Sequence, residues 1–310
     1  MSTLTLRRGA ETSPRRRNPT RRHGGLVAWT FALPALAVYI VFLVYPALSS
    51  LWFSLTNWDG LSATYKFVGA QNYVNLTKDP VVARAVMNNL IWTAVTIAVP
   101  VCVGLALAVL LNGKVRGKPV LRLLFYTPGV LPLVSIASIW GWLYNPEYGA
   151  INAALRAIGL GSVAQPWLGQ DSTALAAVMV PAIWLRVGFP MLLYLAALQG
   201  ISTDFYEAAT VDGATRWQQF WHITMPSLRQ AHYIVIALSL IDSFKVFDLI
   251  YVMTYGGPGT ATQVMSTWMY FNVFQYNQAG YGTAIAVVIT VVAIAAGIPY
   301  VRSQTKERSA

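Results

Sequence analysis

Eleven acidic residues, three histidines and one cysteine are a thin supply of reactive groups for a chain of 310 residues. Cys102 lies inside an apolar run, so the chain can build neither an internal disulfide nor a cysteine-based metal site. His23, His222 and His232 lack metal-ligand spacing, and no serine or cysteine stands in a triad-like context, which argues against an enzyme and against a bound metal. The nearest imitation of a phosphate-binding loop, Gly113-Lys114-Val115-Arg116-Gly117-Lys118-Pro119, is one residue short and lacks the Ser/Thr that would meet magnesium. Charge is scarce as well. Asp, Glu, Lys and Arg make up 11% of the residues, against roughly 25% in soluble domains, which excludes an ordinary water-facing globule. The net charge of +11 does not indicate nucleic acid, because the basic residues gather at the ends of apolar runs instead of forming one patch.

Apolar residues dominate, at 56% of the chain with a mean hydropathy of +0.51. About 20 apolar residues in helix span the hydrocarbon core of a bilayer. Six stretches qualify, approximately 26–54, 88–111, 121–144, 174–199, 231–253 and 282–301. None alternates in the manner of barrel strands. The expected fold is therefore all-α, a polytopic membrane bundle of six transmembrane helices. It occupies 26–301, between a disordered basic tail over 1–25 and a short tail over 302–310. Pro34, Pro46, Pro128, Pro132, Pro181 and Pro190 fall inside the runs, so broken helices packed in a bundle are expected.

The basic residues also orient the chain. With the N-terminus inside, sixteen fall on the cytoplasmic side: seven arginines of the tail, Lys114, Arg116, Lys118, Arg122, Arg216, Arg229, Arg302, Lys306 and Arg308. Only Lys66, Lys78, Arg84 and Arg156 fall opposite, so both termini are expected in the cytoplasm of a multi-pass protein. The loops on the other side are rich in Trp and Tyr, as suits anchoring at the membrane interface; sugar stacking or docking of a binding protein is the alternative.

Between two apolar stretches lies a polar island over 203–226. Asp204 can cap a short helix with Glu207 three residues on, and Gly213 can end it in a left-handed conformation. Thr215 and Gln218 repeat the capping-box spacing for a second short helix, which Pro226 is expected to close. The result is a helix-turn-helix on the cytoplasmic face. Phe205, Trp217, Phe220 and Trp221 offer apolar anchors, and Glu207 and Asp212 offer acceptors for a partner's Arg or Lys. An amphipathic element lying on membrane lipid would read the same way.

The spacing of this island resembles the EAA loop of binding-protein-dependent ABC transporter permeases: Glu-Ala-Ala, three residues, Gly, nine residues, Ile, one residue, Leu-Pro. Here these are Glu207, Ala208, Ala209, Gly213, Ile223 and Met225-Pro226, with Met225 replacing Leu. Leu195-Ala196-Ala197-Leu198-Gln199-Gly200-Ile201, Thr254-Tyr255-Gly256-Gly257-Pro258 and Tyr281-Gly282-Thr283-Ala284 are similar to the carbohydrate-uptake branch, the relatives of MalF and UgpA. Where that branch usually has Pro after the Ile, this chain has Ser202. The resemblance covers roughly 26–301. It implies a permease of the prokaryotic inner membrane whose loop is a coupling helix seated in a cytoplasmic ABC ATPase dimer. Glu207 would tie the loop to the ATPase, and Gly213 would set the turn. It implies no cofactor in this chain, with ATP and magnesium held by the ATPase. It further implies a second and non-identical permease, an extracytoplasmic solute-binding protein and a sugar-like solute.

Four charges fall within the apolar runs: Arg186 in the fourth and Asp242, Lys245 and Asp248 at i, i+3 and i+6 of the fifth. Intramembrane charges face the bundle interior and mark a pathway or a pair. They are candidates for the translocation path, with pairing of Lys245 to Asp242 or Asp248, or of Arg186 to a carboxylate, as the structural alternative. Used instead for proton or sodium coupling, Asp242, Asp248 and Arg186 would make an ion-coupled secondary transporter. A scaffold without transport activity is a third reading.

Overall fold

The computed structural model describes residues 23–113 and 115–307, with the side chains of 31–113 and 115–298. The tail arginines, Lys114 and Arg308 lie outside the described residues, as do the side chains of Arg302 and Lys306. The first unit of the chain ends at Ser49. Its first described element is α1 (His23–Tyr39), so residues 23–25, assigned above to the tail, are already helical. Five residues of π-helix, Ile40–Val44, lead into α2 (Tyr45–Phe53). There the Tyr45 N–H donates to the Ile40 carbonyl, five residues back, immediately before Pro46. A proline cannot donate, and its ring crowds the carbonyl four residues earlier. Widening the register ahead of it relieves that crowding without ending the helix. Phe31–Phe53 is long and apolar enough to cross a membrane.

The second unit runs from Ser50. Residues 54–70 form a loop in which the Asp59 carboxylate accepts from the Ser62 hydroxyl at 2.5 Å and from the Ser62 and Leu61 amides at 2.8 and 2.9 Å. These donors, led by the Ser62 hydroxyl, hold its carboxyl down at about 2. Beyond the loop come α3 (Gln71–Lys78) and α4 (Pro80–Asn112), a helix of 33 residues on which much of the unit packs. Asp79 caps α4, its carboxylate accepting from the Val81 amide at 2.8 Å, and Pro80 occupies the first turn, where its missing N–H costs nothing.

Next are α5 (Lys118–Tyr126), a 3₁₀ turn at Thr127–Val130, and α6 (Leu133–Leu143), which folds back at 99°. The bend follows from Pro128 and Pro132. Leu131, held extended by the proline after it at ψ 147°, cannot continue the helix. After α7 (Ala150–Ala157), α8 (Ala174–Arg186) and α9 (Gly188–Gln199) run on through Val187 as one span, and the chain closes with α16 (Ala279–Glu307). Between them lie α10 (Thr203–Val211), α11 (Arg216–Gln219), α12 (Met225–Ser227), α13 (Arg229–Phe244), α14 (Asp248–Thr254) and α15 (Met265–Phe274). Among the described residues there is no β-strand, only an isolated antiparallel bridge between Thr56 and Phe67. The all-α polytopic fold stands.

The six-span count is not reproduced element by element. Among the described residues four helices are long and apolar enough to cross a membrane, or five with the bent α5–α6 pair. The expected fifth span, 231–253, breaks after Phe244 and resumes at Asp248.

Between membrane helices the lipid is as apolar as leucine, so packing rather than water exclusion holds them together. Small residues at the crossings serve that end. Where α4 meets α9, a Cβ on Gly104 would lie 2.8 Å from Pro190 Cβ and 2.9 Å from the Met191 nitrogen, so only glycine permits the approach. Ala108, Ala231 and Val235 continue this seam around Tyr194, Leu195 and Leu198. A second core gathers Trp92, Ile136, Val178, Ala182 and Ile250. Two buried asparagines of α4 pin the chain ahead of α15. The Asn88 amide donates to the Ala261 and Gln263 carbonyls at 3.0 and 2.8 Å, and the Asn89 carbonyl accepts from the Met265 amide at 2.8 Å.

Candidate functional site: a capped elbow and a cavity between broken helices

The polar island folds as two short helical arms. The first, α10, is capped by Ser202, whose extended backbone lets its hydroxyl accept from the Asp204 amide at 3.3 Å. This corrects the expected cap at Asp204. A serine with free backbone stands one residue outside the helix and takes the role, while Asp204 enters the first turn, where its negative charge suits the positive helix end. Glu207 is then past the capping position and is exposed. At the far end Gly213 takes φ +80°. Its amide donates to Thr210 at 3.1 Å and the next amide, Ala214, donates to Ala209 at 2.9 Å. That pair of bonds is the Schellman closure, which requires the left-handed residue.

The second arm begins with the anticipated capping box. Thr215 Oγ1 accepts from the Gln218 amide at 3.3 Å, and Gln218 Oε1 accepts from the Thr215 amide at 2.7 Å. After α11 the chain widens into π-helix over Phe220–Thr224, with the Met225 N–H donating to the Phe220 carbonyl immediately before Pro226. Pro226 therefore does not close the arm as expected. The π turn absorbs its crowding, as ahead of Pro46, and the break falls at Leu228, before α13. Tyr206 and Thr224 share a hydroxyl hydrogen bond of 2.9 Å, and the Gln219 side-chain Nε2 donates to Thr210 Oγ1 at 3.0 Å, fixing one arm on the other. Between them lies a cleft of about 330 Å³ lined by Ala209, Asp212, Gly213, Gln218, His222 and Ile223. Glu207, Ala208 and Pro226 are exposed outside it. Trp217, Phe220 and Trp221 form a mutual aromatic cluster, with centroids 5.4 to 6.1 Å apart.

The four charges of the apolar runs come together elsewhere. Asp242, Lys245 and Asp248 do not lie along one helix face. Asp242 is in the last turn of α13, Lys245 ends that helix, and Asp248 opens α14. Lys245 at the C-terminal end of α13 and Asp248 at the N-terminal end of α14 each carry the charge that suits their helix end, whereas Asp242 in the last turn of α13 does not. Arg186 likewise ends α8. All four line one cavity of about 390 Å³, walled by Trp92 of α4 and by Gly129 and Leu131 of the α5–α6 bend. Among the described residues no ion pair within 4.0 Å joins any two of the four, so the local pairing of Lys245 is absent, while Arg186 is close enough to the Asp242 carboxylate to feel its charge. Asp242 and Lys245 are exposed to the cavity, and Arg186 and Asp248 are half-buried.

Sequence reasoning missed Ser202 as the cap and Trp92, Gly129, Leu131 and Phe247 as cavity walls. Pro128 and Pro132 carried a usable signal, since two prolines four residues apart dictate a bend. Nothing in one sequence tells which cavity a bend will border.

A model of the family described as "Binding-protein-dependent transport system inner membrane component" matches residues 100–305. The chain is 38% identical over 272 residues to "Probable ABC transporter permease protein YurN" of Bacillus subtilis, across 87% of this chain and 93% of that one. It is 33% identical over 276 residues to "Trehalose/maltose transport system permease protein MalF" of Thermococcus litoralis, across 89% and 92%. In three dimensions it is similar to a chain of "a bacterial ABC transporter involved in the import of the acidic polysaccharide alginate", with a TM-score of 0.79 at 23% identity, over 92% of this chain and 97% of that chain. At that identity the likeness carries the fold alone.

Proposed function

We propose a specific role from one premise: the chain belongs to the family of binding-protein-dependent transport system inner membrane components. It is the permease subunit of an ABC importer, and its solute is a sugar or a related polyol or oligosaccharide. It crosses the inner membrane six times, with α5–α6 and α13–α14 as broken spans and both termini in the cytoplasm. The basic-residue asymmetry supports that orientation.

The observation that carries the reading is the elbow at Gly213. Two capped arms, hydrogen-bonded to each other, present exposed Glu207, Ala208 and Asp212 beside a cleft that ends at Ile223. A rigid element of this form can be moved as one piece by a cytoplasmic ATPase dimer, which supplies ATP and magnesium. Ala209 and Pro226 shape its two arms. A second permease, non-identical to this one, completes the membrane pair. An extracytoplasmic binding protein delivers the solute, and no nucleic acid is involved. Trehalose and maltose in the name of a relative support the sugar reading.

Uptake into proteoliposomes tests the assignment. Transport should require the ATPase and ATP, and Glu207→Ala should uncouple it. Uptake by the chain alone under a proton or sodium gradient, insensitive to Glu207→Ala, would instead establish the ion-coupled transporter. No flux in any combination would leave a scaffold.

A further inference from the structure

We infer that the cavity between the broken helices takes an uncharged, hydroxyl-rich solute and turns away phosphate esters and uronates. This rests on the importer reading and narrows its substrate. Two cations, Arg186 and Lys245, and two carboxylates, Asp242 and Asp248, line the space, so its side-chain charge sums to zero. No ion pair within 4.0 Å joins any two of them. Arg186 feels the charge of Asp242 but no hydrogen bond joins them among the described residues, so cations and carboxylates both keep hydrogen-bonding capacity for whatever enters.

A hydroxyl donates and accepts, so a polyol can satisfy guanidinium, ammonium and carboxylate together. An anion satisfies only the cations. It meets two carboxylates in a medium where charge is costly, and it must shed its own hydration to enter.

The remaining walls fit a saccharide. Phe247 offers a half-buried aromatic face. About 390 Å³ is within the usual range of small-molecule pockets. The similar fold that imports acidic alginate does not decide the question, because solute charge is set by the lining and not by the fold.

The test uses the chain in lipid nanodiscs with its companion permease and ATPase, titrated with maltotriose, raffinose, trigalacturonate and glycerol 3-phosphate while thermal unfolding is followed. The neutral probes should raise the melting temperature and the anionic ones should not. The double variant Asp242→Asn/Asp248→Asn, which leaves the lining at two positive charges, should bind trigalacturonate tighter by on the order of tenfold. Lys245→Gln should move the preference the other way, which keeps the test open if the double variant does not fold. Anionic probes that bind the wild type as tightly as neutral ones overturn the inference. So does the absence of binding by either neutral probe, or a preference unchanged in every folded variant. Retention of the ATPase through purification, and its loss with Glu207→Ala, reports on the importer reading separately.

Discussion

The Ala214 amide donates to the Ala209 carbonyl at 2.9 Å, closing α10 across a glycine at φ +80°. A Cβ at position 213 would meet nothing within 4 Å, so space does not demand the glycine. Backbone conformation does. The elbow between the two arms therefore rests on one torsion angle, and the angle at which Glu207 and Asp212 are presented follows from it.

Gly213→Ala should cost about 1–2 kcal/mol, the penalty of a left-handed L-residue, and should loosen the elbow. Gly213→Asn should cost less, because its side chain tolerates that conformation. Retention of the ATPase during purification and ATP-driven uptake should accordingly rank glycine above asparagine above alanine. If alanine and asparagine behave alike, backbone torsion is not what the position supplies.

A second prediction concerns the far end of α4. Asp79 Oδ1 caps that helix through the Val81 amide, while Oδ2 accepts from the Tyr281 hydroxyl at 2.6 Å and the Trp268 indole at 3.0 Å. One half-buried carboxylate thus ties α4 to α15 and α16. Tyr281→Phe removes a bond to a charged acceptor and should cost about 1.5–3 kcal/mol. Asp79→Asn should cost at least as much, because its amide nitrogen would face two donors. In a double-mutant cycle followed by unfolding in detergent, the two losses should be strongly non-additive. Simple additivity would mean that the Asp79–Tyr281 bond carries no energy.

What the sequence made legible, and what it did not, divides along physical lines. The apolar runs mark membrane helices because the bilayer forces every backbone group to bond within its own segment. Gly213 and the Thr215–Gln218 box were readable because caps act within a few residues. Long-range facts were hidden. That Arg186 of α8 shares a cavity with Asp248 of α14 depends on how the α5–α6 bend seats against both, and no local rule reports it. The cap at Ser202 was missed for a different reason. Ser202 stands two residues before Asp204, and the cap falls where the chain is still extended, at ψ 137°. The break after Phe244 was signalled only indirectly, by three charges too closely spaced for an unbroken span.

The loop at Asp59 gives a prediction with a definite sign in pH. Its carboxyl is held at about 2, against 3.8 without the surrounding donors, chiefly by the Ser62 hydroxyl and then by the Ser62 and Leu61 amides. A folded-state value below the unfolded one means that the carboxylate stabilises the loop fully above about pH 4. That contribution falls as the pH drops from 4 towards 2 and is gone below 2. Carbon-13 NMR of the labelled carboxyl should give a midpoint near 2 in the intact chain. Ser62→Ala removes the largest of these influences and should move the midpoint back towards 3.8, with loop proteolysis setting in at a higher pH. A wild-type midpoint already at 3.8 would show that the donors do not hold the carboxylate in solution.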